Sequence, residues 1–129
     1  MILIQCHTFN TYDMKKFFRK LAGYFVTAYA NRLYKKAVKI ADERHANEHT
    51  MIYVISSYTD ESKLVTYNRK QFRVAKEFLK LRSERVGNMK QGSWYHTADA
   101  IERNGLSAKD KEARRLAFVR MLLQRAGLA

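Results

Sequence analysis

Nothing between Tyr12 and Ala46 interrupts a helix, and that run constrains the fold more than any other feature of the chain. There is no proline in the 129 residues, so no backbone donor is missing and no pyrrolidine ring crowds a preceding carbonyl. Phe17, Leu21, Phe25, Ala28, Leu33, Ala37 and Ile40 recur at spacings of three, four or five. That spacing predicts one long helix over 12–46 with an apolar stripe. Phe18, Tyr24, Tyr29 and Tyr34 widen the stripe with aromatic rings. Thr11 or Asp13 can cap the start. Gly23 weakens the helix locally by about 1 kcal/mol relative to Ala.

Beyond residue 50 the pattern changes. Met51-Ile52-Tyr53-Val54-Ile55 is β-branched and aromatic, which predicts a strand over 51–58. The polar run Thr59 to Lys63 reads as a turn, and Leu64 to Tyr67 as the returning strand of a hairpin. Asn68, with Gln71 three residues on, has capping-box spacing for a second helix over 69–82, burying Phe72, Ala75, Phe78 and Leu79. Residues 83–92 read as a loop and Ser93 to Thr97 as a third strand. Ser107 and Asp110 form a second capping box, opening a last helix over 108–126. Its expected stripe is Ala113, Leu116, Ala117, Val119 or Arg120, and Leu123, and Gly127 sits where a left-handed cap belongs. The order α-β-β-α-β-α predicts an α+β fold: a small, mainly antiparallel sheet covered by helices. Residues 1–129 read as a single domain with its core in 14–129. Residues 1–13 are either an edge strand at Ile2 to Ile4 or an extension upstream of a start at Met14.

The one cysteine, Cys6, excludes an intrachain disulfide and a cysteine-based zinc site. That suits a reducing compartment, and the expected location is cytoplasmic. The longest apolar stretch, Leu21 to Ala30, is about half the length that a spanning helix needs. The opening Met-Ile-Leu-Ile lacks the basic region of a signal peptide.

Charge carries the functional reading. Lys and Arg number 25 against 12 Asp and Glu, a net charge of +13. Residues 14–50 carry +6, residues 68–92 carry +6 and residues 107–129 carry +4, while each remaining stretch is −1. The excess therefore tracks the helices, and any contact surface should be helical rather than an aromatic sheet. Lys15, Lys16, Arg19 and Lys20 fall within two turns, and Lys35, Lys36 and Lys39 follow. Arg69, Lys70, Arg73, Lys76 and Lys80 include the series 69/73/76/80, which shares one helix face. Such rows suit phosphate contacts, or simply a solvated face. Exposed rings among the cations could stack on bases, although Tyr53, Tyr58, Tyr67, Trp94 and Tyr95 fit core packing and cross-strand pairing. The basic, aromatic start of the first helix also fits an interfacial membrane helix, or the main core helix of a small domain.

Two catalytic patterns are present, and the sequence around each opposes it. His45-Ala46-Asn47-Glu48-His49 matches H-x-x-E-H, but it falls where the first helix should end, and a third ligand is missing except for distant Glu112. Histidines there also suit the helix dipole. Ser93, His96 and Asp99 lie too close along a strand to converge as a triad, and no nucleophile elbow exists. There is no phosphate-binding glycine loop. A dispersed nuclease site using His96 would leave little trace in the sequence.

Tyr29 to Asp42, Met51 to Ile55, Tyr67-Asn68-Arg69-Lys70-Gln71-Phe72-Arg73 and Trp94-Tyr95-His96-Thr97 together resemble uncharacterised short basic proteins of gut bacteria and their phages. The resemblance covers most of residues 14–125 and implies a phage or mobile-element accessory role, without assigning any residue a function. The expectation is a non-enzymatic nucleic-acid-binding accessory protein without cofactor or metal, DNA or RNA being its partner. It would contact phosphates through the three cation clusters with weak sequence specificity. The alternatives are a structural module docking on an acidic protein surface and a peripheral membrane protein that binds through the first helix.

Overall fold

The computed structural model describes residues 11–57, 59–78, 92–98 and 105–129. The expected Ile2–Ile4 strand, the second helix beyond Phe78, the loop up to Gln91, and Tyr58, Lys80 and Asp99 lie outside the described residues. The elements are α1 (Thr11–Glu48), β1 (Tyr53–Ser56), β2 (Leu64–Tyr67), α2 (Arg69–Phe78), β3 (Tyr95–His96) and α3 (Ala108–Arg125). The α-β-β-α-β-α order and the α+β class are as expected. The sheet has the order β2-β1-β3 and both pairings are antiparallel.

β1 sits at the centre of the sheet and is buried on both faces, which explains why Met51 to Ile55 is apolar without alternation. Ile52 and Val54 pack against Ala37 and Ala41 of α1. Met51, Tyr53 and Ile55 pack against Phe72 of α2. α1 and α2 therefore cover opposite faces of the sheet. Regular strand structure in β1 covers only 53–56, shorter than the expected 51–58. The third strand also shortens to 95–96, although Trp94 N–H still donates to Val54 O (2.8 Å) and Thr97 N–H to Ile52 O (3.0 Å).

The hairpin turn is held by Asp60, whose carboxylate accepts from the Ser62 N–H and hydroxyl. α2 opens with a reciprocal capping box: Gln71 N–H donates to Asn68 Oδ1 (2.8 Å) and Asn68 N–H to Gln71 Oε1 (3.0 Å). At the start of α3, Asp110 N–H donates to the Ser107 hydroxyl. Beyond the end of α3, Gly127 takes φ +72. There the Leu128 and Gly127 N–H groups return to the carbonyls of Leu123 and Gln124, as a Schellman cap requires.

α1 and α3 form an antiparallel pair. Arg19 reaches the Gly127 carbonyl, Arg115 reaches Asn31, and Tyr34 reaches the Lys111 carbonyl. Between them Ala30, Tyr34 and Val38 pack on Phe118, Val119 and Leu122, with Trp94 edge-on to Phe118. The expected stripes hold at Ala37 and Val119, with Leu33 and Leu123 packed against the core, and need correction elsewhere. In α1 the buried positions are Ala30, Tyr34, Ala37, Val38 and Ala41, while Phe17, Leu21, Phe25 and Ile40 are exposed. In α3 they are Phe118, Val119 and Leu122, while Ala113, Leu116 and Ala117 are exposed. Small alanines let α1 approach β1 closely, so the face that binds the sheet is not the face richest in large side chains.

Candidate nucleic-acid interface

α1 changes its apolar side partway along. With about 100° of rotation per residue, Met14, Phe17, Phe18, Leu21, Tyr24, Phe25 and Ala28 fall on one side. From Ala30 onward the apolar positions fall on the opposite side, against α3 and the sheet. Cations reverse in register with them. Lys15, Lys16, Arg19 and Lys20 share the side that later holds the core. Arg32, Lys35, Lys36 and Lys39 continue the outward side that the aromatics began.

Arg32, Lys35, Lys36 and Lys39 stand at i, i+3, i+4 and i+7, all exposed. None of the four forms an ion pair among the described residues. They line a shallow open groove with Val38, ending at Asp42 and Glu43. Asp42 accepts the Tyr95 hydroxyl at 2.6 Å. Exposed Tyr29 adjoins the row on the same side. Arg32 joins the expected Lys35, Lys36 and Lys39, and its spacing to them is the sequence signal that completes the row.

The other clusters face elsewhere. Lys15, Lys16 and Lys20 are exposed, and the Arg19 guanidinium donates to the Gly127 carbonyl (3.0 Å) at the α3 C-terminus, where a cation suits the dipole. On α2, Lys70 and Arg73 are exposed, and so is Arg69, which is already engaged. Lys76 lies within the helical span of α2. Because α1 and α2 cover opposite sheet faces, the rows of the two helices do not merge into one patch.

Several other arginines serve the fold. Arg44 donates to the carboxylate of Glu48, the Thr66 carbonyl and Gln71 Oε1. It joins the end of α1, β2 and the α2 capping box. Arg114 holds the buried Ser93 through its carbonyl and hydroxyl. Arg125 reaches Glu61 at 2.9 Å, and Arg115 pairs with Glu112.

The strand aromatics pack. Tyr53 is 1% exposed, and Tyr67, Trp94 and Tyr95 are half-buried against the core clusters. Burial raises the Tyr95 hydroxyl well above the usual phenol range, and the Asp42 carboxylate that accepts its hydrogen bond raises it further.

At H-x-x-E-H the helix stops before the second histidine. His49 has φ +55, outside α1, so His45 and His49 are not successive turns of one helix face. His45 Nδ1 lies 2.8 Å from the Thr50 carbonyl oxygen. Glu48 is clamped by Arg44, whose hydrogen bond is the main cause holding its carboxyl below the usual range. Among the described residues no three His, Cys, Asp or Glu gather as metal ligands. Ser93 and His96 are both buried, Ser93 against Arg114, and His96 Nδ1 lies 3.1 Å from the Thr97 carbonyl oxygen.

Comparison with protein-family models, curated proteins and solved structures yields no match to this chain.

Proposed function

We propose that the protein is a nucleic-acid-binding accessory protein that contacts the phosphate backbone with weak sequence specificity. The observation that supports this reading best is the row Arg32, Lys35, Lys36 and Lys39. Four cations span about 10 Å of α1, exposed and without ion pairs among the described residues. Like charges at this spacing repel, so a polyanion that compensates them gains favourable energy on binding. Phosphates on one strand recur at about 3.4 Å along the axis of a duplex, so the row can span several of them. Tyr29 adds a ring on which an unpaired base can stack. Lys70 and Arg73 supply a second, separate contact on α2.

The test is binding to duplex DNA and to structured RNA across a salt series. The triple variant Lys35→Glu, Lys36→Glu and Lys39→Glu should bind at least about tenfold more weakly. Absence of affinity for either nucleic acid at about 50 mM salt overturns the reading.

A further inference from the structure

The outward side of α1 from Met14 to Ala28 has no partner among the described residues. Phe17 is 55% exposed, Phe18 57%, Tyr24 75% and Phe25 64%. α3 and the sheet both pack on the other side of α1, so nothing described stands between this face and a flat surface. Contiguous apolar exposure of this kind marks a docking site.

Charge selects the occupant. Residues 14–29 hold Lys15, Lys16, Arg19 and Lys20 and not one carboxylate. Pairing two copies on these rings would set Lys15 and Lys20, which flank the arc, near their counterparts with no carboxylate in residues 14–29 to answer them. An anionic bilayer offers the complementary charge together with an apolar interior. Lys15 and Lys20 flank the apolar arc by helical rotation, where long side chains can reach back to headgroups. Further along the same side, Arg32, Lys35, Lys36 and Lys39 replace the aromatics. A helix lying in the plane of the membrane would thus present rings and then cations to one surface. Aromatic residues on one face with cations around them are the composition of interfacial helices, and each cation near an anionic leaflet adds attraction. No helix among the described residues is long and apolar enough to cross a membrane, so the contact is peripheral.

We propose that the N-terminal half of α1 is a docking surface for anionic lipid, burying Phe17, Phe18, Leu21 and Phe25 at the level of the headgroups. The proposal shares only the Arg32–Lys39 row with the nucleic-acid reading, and its aromatic part is independent of that reading.

The experiment is co-sedimentation of the full chain with vesicles of phosphatidylcholine alone and of phosphatidylcholine mixed with phosphatidylserine. The wild type is compared with Phe17→Ser/Phe18→Ser, which leaves the charge unchanged. Both rings are more than half exposed, so the far-ultraviolet circular dichroism of the variant should match the wild type. A separate Phe18→Trp variant reports insertion through a blue shift of its added emission. The expected result is binding to the anionic vesicles only, reduced at least about tenfold by the serine pair, with nucleic-acid affinity unchanged. Three results overturn the proposal: no binding to anionic vesicles, loss of nucleic-acid affinity in the serine pair, or a wild-type dimer that this pair dissociates. The second would make the rings base-stacking groups, and the third would make the face a self-association surface.

Discussion

The Tyr34 hydroxyl donates to the Trp94 carbonyl oxygen at 2.6 Å, tying the middle of α1 to the start of β3 inside the main core. The same hydroxyl lies 3.3 Å from the Lys111 carbonyl. Tyr34→Phe keeps the ring packing on Phe118 but removes the donor to the Trp94 carbonyl. It should cost about 1–2 kcal/mol in urea denaturation.

Alkaline pH should act on the same residue. Burial pushes the Tyr34 hydroxyl up to about 12, from 10.0 in an exposed chain. The folded state therefore holds this proton more tightly than the unfolded state. Its contribution is complete below pH 10.0 and is lost as pH rises toward about 12. Denaturation midpoints should fall across that window, and less steeply in Tyr34→Phe.

Acid should act at the Arg44–Glu48 junction. Arg44 holds the Glu48 carboxyl below its ordinary 4.5. That contribution is present above pH 4.5 and is lost as pH falls below it. In Glu48→Gln the fall in stability on acidification below pH 4.5 should be shallower than in the wild type. Arg44→Met also removes the bond to Thr66, and should lower stability by about 1–2 kcal/mol at neutral pH.

His49 ends α1 in a left-handed conformation, at φ +55, that favours glycine. The side chain is exposed, so His49→Gly relieves backbone strain at little cost in contacts. It should raise stability by about 0.5–1 kcal/mol in thermal or urea unfolding.

If the Arg32–Lys39 row contacts four phosphates, the logarithm of the duplex DNA association constant should fall with the logarithm of salt at a slope of about −3.6. Lys35→Gln and Lys39→Gln together should reduce its magnitude by about 2. A slope unchanged in that variant would place the contacts elsewhere, with Lys70 and Arg73 the next to test.

Local chemistry made much of this fold legible. The capping pairs Asn68/Gln71 and Ser107/Asp110, the turn at Asp60 and the cap at Gly127 depend on residues a few positions apart, and each stands where its spacing placed it. The β-branched, aromatic run at Met51 to Ile55 likewise announced a strand. The buried sides of α1 and α3 were legible only in part, at Ala37 and Val119, because tertiary packing chose the rest. Phe17, Leu21 and Phe25 gave the more conspicuous stripe in α1, yet Ala30, Ala37 and Ala41 allow the close approach that β1 requires. Of the cation clusters, spacing along one helix separates Lys35, Lys36 and Lys39 from Lys15 to Lys20 by half a turn. Which of the two sides faces outward appears only once the packed half of α1 is known.

The reversal near Tyr29 also sets how tightly different parts of one helix hold their amide protons. Turns around Ala30 to Ala41 can open only by breaking into the core, whereas those around Met14 to Tyr24 rest chiefly on their own hydrogen bonds. Gly23 weakens the latter further. Opening free energies within one protein range from near zero to that of global unfolding, and α1 should span much of that range along its own length. Deuterium uptake should progress from its first turns toward Ala30, so that one continuous helix behaves as a rigid stem with a yielding tip.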